Sequence, residues 1–177
     1  DDFTPFRNIM NEWYAKDMSR KMHSSMRTKS KQPSPPPRPP LGYMRDSENP
    51  KLWVIDPEGA EVIRHIYTLR MDGTSVNEIA KKLRYEKVLI PSIYAERKGF
   101  KKPTRRAARG EYQWDTSMVR EILRNQEYVG DVLNFRTYSK SYKLKERLEN
   151  PRENWEIHKD DHEAIIPRDE WELIQKT

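Results

Sequence analysis

Apolar and polar positions between residues 112 and 131 alternate with a helical rhythm. Met118, Val119, Ile122 and Leu123 recur at three- and four-residue steps with Arg120, Glu121 and Arg124 between them, so a helix over 116–124 would bury one face and wet the other. Asp115, Thr116 and Ser117 each carry a side chain able to cap its start, and Asn125 followed by the β-prone Tyr128, Val129 and Gly130 marks its end. Spacing alone fits an ordinary surface helix equally well. Upstream, Thr4 and Pro5 look like a helix start, with Thr4 as cap and Pro5 in the first turn. Phe6, Ile9, Met10, Trp13, Tyr14, Met18, Met22 and Met26 then predict one apolar stripe along a helix to about Lys31, on the order of 40 Å long. Such a stripe suits either a helix lying on its own domain or an adaptable protein–protein surface.

Residues 32–43, QPSPPPRPPLGY, are too rich in proline for a helix and predict an extended arm. Next comes a short strand over 52–55, then a helix started by Asp56 and Pro57 that carries Ala60, Val62, Ile63, Ile66, Tyr67 and Leu69. Gly73 stops it, and Ser75 with Glu78 three positions on forms a capping box for a second helix bearing Val76, Ile79, Ala80 and Leu83. The pair, joined at Asp72, Gly73 and Thr74, resembles a helix-turn-helix. Leu89, Ile90 and Pro91 close this segment, and 94–111 is expected to be a polar, basic loop. A strand over 129–135, a basic Tyr-bearing ribbon over 136–147, a returning strand at Trp155, Glu156 and Ile157, and a last helix begun by Pro167 complete the pattern. The expected fold class is α+β, mainly helical: a long N-terminal helix (1–31), an extended Pro-rich linker (32–43), and a compact helical domain with a small β-ribbon (44–177).

Charge sharpens this picture. Among 177 residues, 34 Lys and Arg against 28 Asp and Glu give a net charge of +6, which favours a polyanionic partner. The distribution is uneven. From 97 to 109 the chain is basic with no acid, whereas 149–177 carries more acids than bases, as expected of a protein with one DNA-facing side. With 34% hydrophobic and 35% charged residues, a small core with large solvated projections is expected. The absence of cysteine excludes disulfides and thiolate zinc sites and suits a reducing cytoplasm. No apolar run approaches a membrane span.

The pattern Trp114, Val119, Ile122, Leu123, Asn125, Tyr128 and Gly130 resembles a signature of the DNA-binding recombinase domain in large serine recombinases, the resolvase and invertase relatives that move phages and transposons. Four further segments resemble the same family in the same order. They are NEWYAKDMSRK at 11–21, Arg38 with Pro40, Leu41, Gly42 and Tyr43, the run from Asp56 to Leu83, and HEAIIPRDEWELIQ at 162–175. The resemblance implies that the first helix leaves a catalytic domain and carries a subunit interface, with Trp13, Met18 and Met22 as the contact residues and a dimer or tetramer as the parent's state. It implies that the linker follows a minor groove, with Arg38 as the contact. The prolines at 33, 35, 36 and 37 depart from the family, whose members commonly carry glycine there.

The implied partner is double-stranded DNA, and no cofactor or membrane is expected. Lys101, Lys102, Arg105, Arg106 and Arg109 are candidates for phosphate contact, as are Lys140 and Lys143 of the ribbon. Thr116, Ser117, Arg120 and Arg124 are candidates on the 116–124 helix, with the helix from Ser75 to Leu83 as its competitor for the major groove. No catalytic residue is assigned. The family cleaves through a serine in an N-terminal resolvase fold, and this sequence, which opens on Asp1, Asp2 and Phe3 without a Met, is expected to be the part that follows it. His158 and His162 could share a helix face as metal ligands, but they precede Pro167 without helical periodicity, so no metal site is expected and His162 is read as structural. Two rival functions remain open: a helix-turn-helix transcription regulator, and an interaction scaffold offering its prolines to an SH3-like domain.

Overall fold

A computed structural model describes residues 3–31, 35–36, 38–100, 110–139 and 146–176. The fold is α+β and mainly helical, with six α-helices and short strand pairs among the described residues. No helix among them is long and apolar enough to cross a membrane. They fall into two compact units, Asp1–Ser34 with Leu133–Ile157, and Pro35–Val132 with His158–Thr177.

In the first unit, α1 spans Thr4–Ser30. The expected single stripe is corrected by helix geometry. At 3.6 residues per turn each four-residue step advances about 40°, so the apolar residues wind around the axis. Phe6, Ile9, Met10 and Trp13 share an arc of about 100°, while Met18 and Met22 lie about 140° and 180° from Trp13. Trp13, Met18 and Met22 are 62%, 47% and 56% exposed.

The expected ribbon over 136–147 takes a different partner. β4 (Thr137–Tyr138) pairs antiparallel with β5 (Leu148–Glu149), in the register Thr137↔Glu149 and Tyr138↔Leu148. The returning strand instead lies beside β3 (Val132–Asn134) as β6 (Glu156–His158), and Trp155 precedes it. Phe135, at φ +59, interrupts the extended backbone between β3 and β4, which separates the two pairings.

In the second unit, β1 (Tyr43–Arg45) pairs antiparallel with β2 (Trp53–Ile55). α2 (Pro57–Met71) follows, with Ala60, Ile63, Ile66, Tyr67 and Leu69 buried. Asp56 precedes it but makes no side-chain cap. Its Oδ2 accepts instead from the Tyr94 hydroxyl at 2.5 Å. α3 (Val76–Tyr85) has the expected capping box, with the Ser75 N–H donating to Glu78 Oε2 at 3.0 Å and the Glu78 N–H to Ser75 Oγ at 3.3 Å. The Ser75 hydroxyl also donates to Glu78 Oε2 at 2.7 Å, and this bond, with that from the Ser75 N–H, holds the Glu78 carboxyl below its ordinary pKa.

The expected loop over 94–111 is corrected at its start. Pro91 does not end the fold but opens α4 (Pro91–Arg97), because a first-turn N–H needs no partner within the helix. Ile93 is buried beneath it, and the Ile90 N–H donates to the Glu111 carbonyl at 2.9 Å. α5 (Thr116–Arg124) is followed by a 3₁₀ turn over Gln126–Val129 that takes in the β-prone Tyr128 and Val129, so the strand expected over 129–135 is confined to β3. Both side chains are buried in the helical core, so their β preference is overridden by packing. Gly130 then takes φ +91, and a Cβ there would sit 2.6 Å from the His162 carbonyl oxygen. α6 (Arg168–Gln175) closes the unit on Trp171 and Ile174.

Candidate nucleic-acid interface

The second unit is built around α5, which is held at both ends. At its start Asp115 supplies the cap, its Oδ1 accepting from the Met118 N–H at 2.9 Å; of the three possible caps this is the one used. The preceding residue, Trp114, is 1% exposed. Its indole N–H donates to the Val88 carbonyl at 2.9 Å, and its own carbonyl accepts from Arg84 Nε at 2.7 Å. At the far end the last carbonyls of a helix have no partner within it. Here the Tyr67 hydroxyl lies 3.3 Å from the Ile122 carbonyl and 3.2 Å from that of Leu123, and Gln175 Nε2 donates to Leu123 at 2.8 Å. Val119, Ile122 and Leu123 are buried between these anchors. Side chains from α2, α3 and α6 therefore fix both the axis of α5 and its rotation.

That rotation decides what faces outward. Ser117, Arg120, Glu121 and Arg124 follow the i, i+3, i+4, i+7 steps of one helix face, and all four are exposed. Three predicted contact residues are thus brought together, while Thr116 is half-buried at the first turn. Glu121 sits among them, on the polar face where the spacing had placed it, and adds an acid to the two arginines. On α3, Asn77, Lys81 and Tyr85 point away from the buried Ile79, Ala80 and Leu83, and Tyr85 is 89% exposed. Arg84, in contrast, is committed to Trp114.

Arg38 is exposed on non-helical backbone. Lys101, Lys102, Arg105, Arg106, Arg109, Lys140 and Lys143 lie outside the described residues. Two cations of the same basic run have acid partners, Arg97 with Glu111 at 2.6 Å and Lys98 with Glu58 at 2.9 Å. These pairs raise the pKa of both cations.

His162 has a structural setting. Its Nε2 lies 2.8 Å from the Glu127 carbonyl, which can only accept, so this nitrogen carries the proton. The ring stands edge-on to Tyr43 at 4.6 Å, and burial lowers its pKa. The Tyr43 hydroxyl in turn donates to the Glu163 carbonyl at 2.8 Å, fastening the segment that leads to buried Ile165 and Ile166. Arg84, Tyr67 and Gln175 were not foreseen as positioning residues. They lie 30 to 56 residues from the carbonyls they meet, beyond any local spacing signal.

A family profile described as Recombinase matches residues 57–177. Among solved structures, one from work on the sequence requirements of the Listeria innocua prophage attP site aligns with a TM-score of 0.50 and 20% identity, over 88% of this chain and 50% of that one. Another, the crystal structure of an LSR–DNA complex, aligns with a TM-score of 0.46 and 19% identity, over 88% of this chain and 36% of that one. No curated protein matches the sequence. The chain spans half or less of the solved chains it aligns with, and the likeness to the first is one of fold. Since the profile runs from the first residue of α2 through α6, and so takes in the whole α5 assembly, the chain belongs to the recombinase family.

Proposed function

We propose that this chain binds double-stranded DNA at the recombination site of a site-specific serine recombinase, and that α5 presents the reading face. One observation carries the reading. In a chain of the recombinase family, α5 is pinned at both ends so that Ser117, Arg120 and Arg124 face outward together. Arginine can pair with two acceptors on a guanine edge, and a serine near a helix start suits a phosphate. The attP site named for one solved neighbour is the kind of target this implies, within a mobile element and in a reducing cytoplasm. Arg38 and the basic residues Lys101, Lys102, Arg105, Arg106, Arg109, Lys140 and Lys143 supply phosphate and groove contacts in this reading. Strand cleavage belongs to the whole protein, and no serine of this chain is assigned that role.

Arg120→Ala is expected to cost about 1–3 kcal/mol in binding and to relax base preference at one position, whereas Lys102→Ala weakens all sequences about equally. Selection from randomised duplexes, with affinity measured against salt, separates the two. If Arg120→Ala lowers affinity uniformly and leaves the preferred site unchanged, α5 holds only backbone and the exposed face of α3 becomes the reading head.

We further propose that a second copy of the chain covers α1. Its exposed apolar residues need a partner, and Phe6, Ile9, Met10 and Trp13 form its continuous face, with Met18 and Met22 contributing on another. Sedimentation should show a concentration-dependent dimer that weakens on Trp13→Ala. A monomer at every concentration, unchanged by deleting residues 1–31, rejects this contact.

A further inference from the structure

The outward face of α5 carries one acid whose place helix stability does not explain. Viewed down the axis, Ser117, Arg120, Glu121 and Arg124 span about 100°, with Arg120 at one edge, Glu121 at the other and Arg124 between them. A surface acid stabilises a helix near its start, or through a cation four residues on. Glu121 has neither. It stands sixth of the nine residues of α5, in the half where the helix dipole disfavours an acid. The residue four positions on is Asn125, whose Oδ1 accepts from the Glu127 N–H at 3.3 Å and whose Nδ2 donates to Glu127 Oε2 at 3.1 Å. Four positions before it stands Ser117. Among the described residues no ion pair joins Glu121 to Arg120 or Arg124, although all three are exposed on one face.

An acid on a face that meets DNA also opposes binding, since the phosphates repel it. A carboxylate only accepts hydrogen bonds, so in a groove it needs a donor. The major groove offers two, the N4 amino group of cytosine and the N6 amino group of adenine, while guanine and thymine show no donor there. Adenine sets its N7 acceptor beside N6, where it would face the second carboxylate oxygen. Cytosine has only a C–H beside N4, so the carboxylate meets no opposing lone pair. The partner base suits the same face, because guanine presents two acceptors to an arginine.

We propose that Glu121 is a specificity-determining residue that accepts a hydrogen bond from the N4 amino group of a cytosine in the major groove. This rests on the reading of α5 as the face that meets duplex DNA. Arg120 and Arg124 supply attraction and guanine recognition. Glu121 rejects sites without cytosine at its position, because there its carboxylate loses water and gains no donor.

The test uses the full chain with Glu121→Ala and Glu121→Gln, in selection from randomised duplexes followed by affinity on the selected site and by thermal unfolding. The wild type should select cytosine at one position, which Glu121→Ala reads about tenfold less strictly with the other positions unchanged. Glu121→Gln should favour adenine there, since its amide both donates and accepts. Neither variant should lose affinity for unrelated duplex, and both should unfold as the wild type does. In a second arm the selected cytosine carries a methyl group on N4, in place of the hydrogen that faces the groove. This should weaken the wild type by about tenfold and Glu121→Ala far less, the mark of a direct contact. A preferred site unchanged in Glu121→Ala overturns the proposal, as does equal weakening of wild type and Glu121→Ala by the methylated base. So does a uniform loss on all sequences that comes with a lower unfolding temperature. A wild type that binds no duplex overturns the DNA-binding reading itself, and a site unchanged by Arg120→Ala rejects α5 as the reading face. With both of those intact, failure of the Glu121 arms counts against Glu121 alone.

Discussion

Trp114→Ala is expected to destabilise the protein by about 3–5 kcal/mol, because it empties the largest fully buried side-chain position beneath α5. The indole is 1% exposed, and Val88, on the strap after α3, would keep a carbonyl without its donor. The effect should reach binding as well as stability. Trp114 also presents its carbonyl to Arg84, so a collapsed backbone there releases the start of α5 and turns Ser117 and Arg120 away from their face. Trp114→Phe keeps most of the volume and loses only the indole bond, with an expected cost of about 1–2 kcal/mol. Denaturant midpoints of the two variants, with duplex affinity measured well below each transition, check both parts. A cost under about 1 kcal/mol for Trp114→Ala would mean that α5 is not seated on this ring.

The parts of the fold visible beforehand were those set by neighbouring residues. Ser75 and Glu78 announce a capping box within four positions, and the α5 apolar spacing gives both its limits and its buried face. Pro91 misled because a proline both ends one segment and opens another, and only the burial of Ile93 shows which applies. Tyr128 and Val129 misled because β propensity describes a half-buried pleated surface, while these side chains are enclosed by helices. On α1 the residue types were right and their angular phase was not. The outward residues of α5 followed from spacing, but what holds them there did not. Tyr67, Arg84 and Gln175 act across 30 to 56 residues, beyond the reach of any local spacing.

The Asp131–Arg168 pair is the second place where one substitution should be felt throughout the helical unit. Asp131 is 0% exposed and accepts four hydrogen bonds. Arg168 Nη1 and Nη2 donate at 2.9 and 2.6 Å, Gln126 Nε2 at 2.7 Å and the Asp160 N–H at 3.2 Å. The carboxylate thus ties the turn after α5 and the segment before α6 to the first residue of α6. Arg168→Ala is expected to cost about 3 kcal/mol, the lower end for a broken buried pair, since the arginine is 34% exposed and water can reach part of its place. The pH dependence carries a further signature. In the wild type, burial pushes the Asp131 carboxyl up, but the bonds from Arg168, Gln126 and Asp160 outweigh it and hold the group below its ordinary value. A depressed carboxyl gives stability that is present above the unfolded value of about 3.9 and is lost as pH falls below it. Without Arg168, burial prevails and the carboxyl rises, so the variant gains stability as pH falls through the raised value. The gap between wild type and Arg168→Ala should be widest near pH 7 and should narrow toward pH 3. Arg168→Lys, which restores charge without the two-pronged geometry, should recover about half of it. Equilibrium unfolding at pH 7, 5, 4 and 3 reads this directly, and a gap that stays constant across the series would show that Asp131 is not held ionised by Arg168.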